Sequence, residues 1–328
     1  MMPLALIQAE FQQDFAVVHR LMTEAFASKA PLIQAVGAHL LAQPGKGLRP
    51  LLVLISAQAS GYQGTQHYSL AAAIELIHTA TLLHDDVVDE ADKRRGQPST
   101  NQRFGNKAAI LSGDFLYAKA FQLLLAIDHP NTIEILVNAT HAMAEGEALQ
   151  LLGRRQLRLS TDHYMEIIAA KTASLFGACT HMAAVLAGAP AAIVEAWMRY
   201  GVHLGLCFQI MDDVLDYEAI AHATHKGHSK NPGNDLREGK MTLPLIYGLA
   251  GGTDSQIQVI QQALAQPHTC DTHLLSQVLD ALETSGALAE SRRCAAEQAR
   301  QAQEALLTVL SPSVHRDRAI HLAASLCA

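Results

Sequence analysis

The chain has 328 residues, 49% hydrophobic and 17% charged, enough to bury one large core or two fused ones. A formal net charge of -7 with no long basic stripe argues against nucleic acid as the main partner, and five scattered cysteines (Cys179, Cys207, Cys270, Cys294, Cys327) indicate neither a disulfide framework nor a zinc site and fit a reducing cytosol. The N-terminal run lacks the length and positive flank of a signal peptide, and no window reaches the uninterrupted apolar length of a membrane span.

Sparse prolines and the dominance of Ala, Leu, Gln and Glu predict an all-α chain, read as a single domain over 1–328. The first helices are expected at about 5–27, 30–42 and 49–60. At the start of the third, Gly45-Lys46-Gly47-Leu48-Arg49-Pro50 sets Lys46 and Arg49 three apart, where a helix N-terminus also favours an anion. The next helix, 67–91, is apolar all round and therefore central to a bundle, yet it ends in Asp85-Asp86-Val87-Val88-Asp89. Asp85 and Asp89, four apart, share a helix face. His84, beside them, reads as a hydrogen-bonded neighbour, and Arg94 and Arg95 follow within two turns.

Helices at 106–127, 131–152 and 161–188 come next, the last carrying Lys171 and Thr172. Helix 191–220 is again apolar all round and ends in a second acidic copy, Asp212-Asp213-Val214-Leu215-Asp216. The copies hint at a pseudo-repeat of half-bundles, although little else repeats. Segment 218–239 is the clearest loop, with His222, His225, His228 and Lys230. Helices at 241–250, 255–265, 273–286, 288–309 and 314–326 complete the chain.

Buried carboxylates without partners cost several kcal/mol, so six of them in apolar surroundings call for a cation. All-oxygen ligands suit Mg²⁺, which prefers phosphate oxygens to complete its shell. Without a Walker-type glycine loop, a phosphate must be cradled by basic residues. Two such sets occur, around Lys46, Arg49, Arg94 and Arg95 and around Lys171, Lys230 and Lys240, which suggests two diphosphates: one held by metal and one directly.

Several runs together carry a family resemblance: Gly45-Lys46-x-Leu48-Arg49-Pro50, Leu76 through Asp89, Arg94-Arg95-Gly96, Gly113-Asp114-Phe115-Leu116, Lys171-Thr172, Phe208-Gln209-Ile210-x-Asp212-Asp213, and Asp235-Leu236-x-x-Gly239-Lys240-x-Thr242-Leu243-Pro244. From about residue 40 to 250 the chain resembles the trans-polyprenyl diphosphate synthases, nearest the bacterial octaprenyl diphosphate synthases. The resemblance implies an isoprenoid synthase (class I terpenoid synthase) helical bundle around a deep central cavity, with a trinuclear Mg²⁺ cluster held between the two aspartate faces. It implies Asp85, Asp89 and Asp212 as metal ligands, with Asp86, Asp213 and Asp216 acting directly or through metal-bound water. Arg94, Lys171, Gln209 and Lys230 would contact the allylic diphosphate. Lys46, Arg49, His78 and Arg95 would hold isopentenyl diphosphate, and Thr172 and Gln209 would lie near the allylic cation.

Residues one turn before Asp85 would meet a growing tail: Ala80 and Thr81, with Ile77 two turns down. Small residues there leave a deep tunnel, for which Phe121, Leu124 or Leu125 are candidate floors. The expected activity is therefore condensation of isopentenyl diphosphate with farnesyl diphosphate to an octaprenyl product for a quinone such as ubiquinone. A geranylgeranyl or other shorter-chain synthase is the alternative. The second aspartate copy disfavours a terpene cyclase, and the retained aspartates and cations disfavour a non-catalytic partner subunit. A cytoplasmic homodimer packed through helices near 106–152, with peripheral membrane contact for product release, is also implied. Departures from the family pattern are Gly47 in place of a second Arg, Ser229 before Lys230, a longer loop at 218–234, and no short basic tail at the C-terminus.

Overall fold

In a computed structural model, the described residues are 3–42, 45–127, 129–154, 159–223, 233–265 and 270–327, and they are helical almost throughout. Pro3 opens α1 (Leu4–Glu10), and Phe11, at φ −101° and ψ 16°, separates it from α2 (Gln12–Ala25). One helix expected over 5–27 is therefore two. No Gly or Pro breaks it; instead the ring of Phe11 is buried and lies under the Arg318 guanidinium, 5.4 Å from the ring centre.

α3 (Pro31–Leu41), begun by a proline in its first turn, and α4 (Leu48–Ala59) lead to α5 (Gln66–Val88), which Asp89 caps. The helix expected to reach residue 91 stops here because the chain turns into a short antiparallel ribbon, β1 (Lys93–Arg94) and β2 (Gln97–Pro98). Arg95 (φ 50°) and Gly96 (φ 78°) form its tip, a pair of left-handed residues that suits a tight hairpin. α6 (Thr100–Phe104), α7 (Asn106–Leu125) and α8 (Pro130–Gly153) follow.

α9 (Thr161–Ile168) is capped by Ser160, whose hydroxyl accepts from His163 N–H. The helix expected over 161–188 is interrupted by a π turn (Ala169–Ala173) before α10 (Ser174–Leu186). α11 (Ala191–Ala223) runs three residues past its expected end and six into the expected loop, which also contains α12 (Asn234–Arg237). His225, His228 and Lys230 lie outside the described residues. The remaining helices are α13 (Leu243–Gly251), α14 (Asp254–Ala265), α15 (Thr272–Thr284), α16 (Ala287–Leu307) and α17 (Val314–Leu326).

The fold divides into two compact units. The first comprises Met1–Thr140, Leu175–Gly201 and Gln303–Ser325. Its axis is α5, where Leu70, Ile74, Leu76, Ile77 and Ala80 are fully buried against α2, α4 and α7. Each such Leu or Ile contributes about 1.5–3 kcal/mol through burial. By length and mean hydropathy α7 could cross a membrane, although its apolar run is not uninterrupted. Lys107, Asp114 and Lys119 interrupt its apolar run, and it packs along α5.

The second unit comprises His141–Ser174, Val202–Ala302 and Leu326–Ala328. Its core joins Ile210, Val214 and Tyr217 of α11 to Leu243 and Leu245 of α13 and Leu275, Val278 and Leu282 of α15. Both aspartate copies thus ride on helices whose other faces are core, as their apolar flanks require.

Candidate active site

Asp85, Asp86 and Asp89 crowd the C-terminal end of α5, the negative pole of the helix. Mutual repulsion and the helix dipole both oppose three charges there. The middle carboxylate has a partner: Asp86, 2% exposed, accepts from Arg94 Nε at 2.7 Å and Nη2 at 2.6 Å, both on Oδ1. Burial pushes the Asp86 carboxyl upward, while Arg94 holds it down. Arg94 remains firmly protonated, since the pull of Asp86, Asp85 and Asp89 outweighs its own desolvation. Asn101 Nδ2 donates to the Asp86 carbonyl at 3.0 Å, which ties α6 to this helix end. Asp85 and Asp89 remain half-buried.

The ribbon that supplies Arg94 also carries Arg95. A cavity of 360 Å³ in the first unit is lined by Lys46, Arg94, Arg95, Glu75 and Asp86, with Phe15, Met22 and Leu82 on its apolar side. Gly45 lets the Arg95 guanidinium lie close to the backbone beside it, since a Cβ there would stand 2.4 Å from Arg95 Nη2 and push it aside. Arg49, expected with this group, does not line the cavity; its guanidinium stacks 4.8 Å from the Phe176 ring centre. It nevertheless shares an acidic partner with Arg95. Burial raises Glu75, and the charges of Arg49 and Arg95 oppose that rise. Burial, and then the neighbouring arginines, drive His78 well below its ordinary range, so it is a neutral hydrogen-bonding group here. Glu75 is a site residue that the sequence reading missed.

His84 Nε2 lies 3.2 Å from the Ile110 carbonyl and 3.5 Å from Asp114 Oδ1, and its ring stacks on Tyr117. Gly113 makes this approach possible, since a Cβ would fall 2.2 Å from His84 Nε2. Among the tunnel candidates, Ile77, Ala80 and Leu124 are fully buried, and Thr81 returns its hydroxyl to the His78 carbonyl at 2.8 Å. Phe121 is half-buried. Leu125 is 65% exposed on the outer face of α7, which does not suit a wall of an internal tunnel.

In the second unit the π turn positions Lys171 and Thr172. A π turn inserts a residue into the helical register and so re-aims the side chains it carries. Lys171 Nζ pairs with Glu147 Oε2 and donates to Gln150 Oε1 at 2.6 Å, the two acceptors standing one turn apart on α8. Gly146 lets α8 come this close: a Cβ there would sit 2.5 Å from the Lys171 backbone nitrogen. The other Glu147 oxygen, Oε1, is buried without a hydrogen-bond partner among the described residues.

Thr172 begins a continuous polar chain. Its hydroxyl donates to Gln209 Oε1 at 2.9 Å, Gln209 Nε2 donates to Asp213 Oδ1 at 2.8 Å, and the Tyr164 hydroxyl donates to Asp213 Oδ2 at 2.7 Å. Asp213 is 3% exposed, and burial raises its carboxyl to about 7; Tyr164 and Gln209 pull it down, and Asp212 and Asp216 push it up. Asp212 is exposed beside it, while Asp216 Oδ2 accepts from Asp235 N–H at 3.1 Å. Burial and the Asp216 charge raise Asp235 as well, against the pull of Lys240. Lys240 pairs with Glu238.

The structure therefore groups Lys46, Arg94 and Arg95 around one cavity, and Lys171, Thr172, Gln209 and Asp213 around one network. Tyr164, Glu147 and Gln150 join the second group without having been singled out in sequence, and Asp235, noted there only as part of a motif run, joins it beside Asp216. Of these, Glu147 and Gln150 had a readable signal, two polar residues one turn apart in the run Glu145-Gly146-Glu147-Ala148-Leu149-Gln150.

The oxygen-rich faces fit a hard divalent cation. Burial and the neighbouring Asp212 and Asp216 disfavour the charged form of Asp213, which a nearby cation would restore, and Asp85 and Asp89 stand at a negative helix pole. Among the described residues no three acidic, His or Cys side chains converge into a closed cage. Mg²⁺ does not need one, because it keeps waters and takes phosphate oxygens beside one or two carboxylates.

Comparison with known proteins yields a consistent set of similarities. The polyprenyl synthetase family model matches residues 30–282. Octaprenyl diphosphate synthase of Escherichia coli (strain K12) is 40% identical over 318 residues, covering 93% of this chain and 97% of that protein. All-trans-nonaprenyl-diphosphate synthase (geranyl-diphosphate specific) of Rhodobacter capsulatus is 40% identical over 317 residues, 96% of this chain and 95% of that one. The crystal structure of a polyprenyl synthase from Caulobacter crescentus CB15, complexed with calcium and isoprenyl diphosphate, superposes with a TM-score of 0.92 at 38% identity, covering 99% of this chain and 97% of that one.

Proposed function

The chain belongs to the polyprenyl synthetase family, and from that premise we propose that it joins isopentenyl diphosphate to farnesyl diphosphate and elongates it to an all-trans octaprenyl diphosphate. It is a prenyltransferase with the all-α isoprenoid synthase fold. The observation that carries the reading is that each unit holds an aspartate triplet and a fixed cation in one polar site: Arg94 paired with Asp86 in the first, and in the second Lys171, held by Glu147 and followed by Thr172, which opens the polar chain ending on Asp213. A reaction whose leaving group is a diphosphate needs both kinds of group.

The family is Mg²⁺-dependent. We assign its ions, three per site, to Asp85 and Asp89 and to Asp212, with Asp86, Asp213 and Asp216 in support. Bound there, Mg²⁺ neutralises the diphosphate so that the allylic C–O bond can ionise. Arg94, Lys171, Gln209 and Lys230 bind that same diphosphate. Lys46, Arg49 and Arg95 bind the diphosphate of isopentenyl diphosphate, with neutral His78 as a hydrogen-bond donor. Charge stabilisation by fixed groups is commonly the largest catalytic contribution in such a site. Thr172 and Gln209 lie near the developing cation, and the departing diphosphate takes the proton lost after the new C–C bond forms.

The small side chain of Ala80, one turn before Asp85, supports a long product because it puts little bulk below the aspartates. The relatives above are named for different chain lengths, so length is the point to test. The family model spans residues of both units, which supports treating them as one catalytic domain. Exposed Ile110 and Leu111 on α7 support a homodimer. A cytoplasmic location, peripheral membrane contact for product release and supply of a ubiquinone side chain complete the proposal. Purified protein is incubated with farnesyl diphosphate, labelled isopentenyl diphosphate and Mg²⁺, and the dephosphorylated products are separated. A dominant octaprenyl product is expected. A product that stops at geranylgeranyl length refutes the long-chain assignment, and no elongation refutes the activity of the chain alone.

A further inference from the structure

Cys207 and Cys327 stand outside the chemistry described above, yet their sulfurs face each other. Cys207 is on α11 and Cys327 directly follows α17; both are thiols, and their Sγ atoms are 2.8 Å apart. That is less than about 1 Å beyond bonding distance, so no rearrangement of helices separates the thiols from a disulfide. Cys327 also donates to the Ala295 carbonyl at 3.5 Å, so α16 fixes its direction. The two thiols differ in access, since Cys207 is 0% exposed and Cys327 is half-exposed. Only Cys327 can be reached by a dissolved reagent.

We propose that Cys207 and Cys327 form a reversible disulfide by exchange with a small-molecule disulfide of the glutathione type, stapling the segment after α17 to α11. Cys327 is the attacking thiol and Cys207 the resolving one. The hydrogen bond from Cys207 lowers the Cys327 thiol below its ordinary range, while that bond and burial raise Cys207, which matches this division. In the first step the Cys327 thiolate bonds to one sulfur of the reagent and releases the other half as a thiol after protonation. In the second, Cys207 gives up its proton and attacks Cys327 Sγ, releasing the second half. Two protein thiols are oxidised by two electrons, and one reagent disulfide is reduced to two thiols. The bond would close a loop of 120 residues, for which chain-entropy arguments give large stabilisation. This inference is independent of the proposed activity.

The test uses the full chain, first reduced and then equilibrated with oxidised glutathione. The denatured thiol count should fall from five to three, a non-reducing tryptic digest should yield residues 200–226 linked to 319–328, and dithiothreitol should restore the starting count. The melting temperature should rise on the order of 5–10 °C on oxidation. Cys207→Ser should trap glutathione on Cys327 with no cross-link. Cys327→Ser should leave Cys207 unmodified. An unchanged thiol count, a linkage through Cys294, or wild-type protein that stops at the mixed disulfide would each overturn the proposal, and all three are read on the wild-type chain if a variant fails to fold.

Discussion

Replacing Tyr164 by Phe isolates one bond of the polar chain in the second unit. The hydroxyl donates to Asp213 Oδ2 at 2.7 Å, and Gln209 is the other side-chain donor to this carboxylate. Phe keeps the ring in its buried site, so packing is unchanged and the loss is one hydrogen bond to a desolvated acid. Such a bond is worth about 1.5–3 kcal/mol when the acceptor is ionised and about 0.5–1.5 kcal/mol when it is neutral. At a few degrees per kcal/mol, the melting temperature should drop about 3–12 °C at pH 8. Since the folded Asp213 carboxyl sits at about 7, it is largely protonated at pH 6, and the cost there should be smaller. The sign follows from linkage: an acid raised on folding loses its stabilising contribution as pH climbs from its unfolded value through its folded one. The variant, lacking a donor that favours the charged form, should carry that loss to higher pH. Calorimetric scans of both proteins in metal-free buffer at pH 6 and 8 measure it. A drop below about 1 °C at pH 8, or the same drop at both pH values, refutes the assignment of Tyr164 as a donor to an ionisable Asp213.

Gly146→Ala should lower turnover about 100-fold, because the added methyl meets the Lys171 backbone and displaces the π turn by an ångström or so; steady-state elongation kinetics check it, and near-normal turnover would show that the turn tolerates the shift. Arg94→Lys loses the two-nitrogen grip on Asp86 and should cost about 1–2 kcal/mol of transition-state binding, roughly tenfold in kcat/KM for the allylic substrate. Tyr68 is raised to about 12, first by its hydrogen bond to Asp14, so its contribution is complete below pH 10 and is lost between 10 and 12. Tyr68→Phe should therefore flatten the fall in urea midpoint over that alkaline window, and an unchanged slope would refute the pairing.

Why some of this was legible in sequence and some was not has a physical basis. An all-α fold follows from composition and periodicity, which are local. The acidic copies stand out because charge in apolar surroundings is expensive wherever the chain goes. The break at Phe11 goes with a partner distant in sequence, Arg318, which no local pattern carries, and the ribbon at 93–98, though local, is two residues per strand and too short to show alternation. Tyr164 and Asp235 belong to the site only because α9 and α12 bring them beside Asp213 and Asp216. Gly47 shows a different gap: counted by charge it is a missing arginine, yet it caps α4 at φ 59° with Phe15 Cε1 3.0 Å from where a Cβ would stand. Backbone conformation explains that glycine, and residue counting could not.

The two aspartate copies look alike in sequence but differ electrostatically in the fold. In the first, Arg94 neutralises the middle carboxylate, so the helix end carries a reduced net charge. In the second, the middle carboxylate has the neutral side-chain donors Tyr164 and Gln209 among the described residues, and Asp235 adds a fourth acid beside Asp216. Neutral donors orient a carboxylate without cancelling its charge. A bound cation would relieve the charge of this set, in which Lys240 acts on Asp235. It follows that metal affinity in the second set should suffer most when an acid is neutralised, whereas the first should be sensitive to loss of Arg94. A pattern duplicated in sequence is thus tuned differently by the residues packed behind each copy.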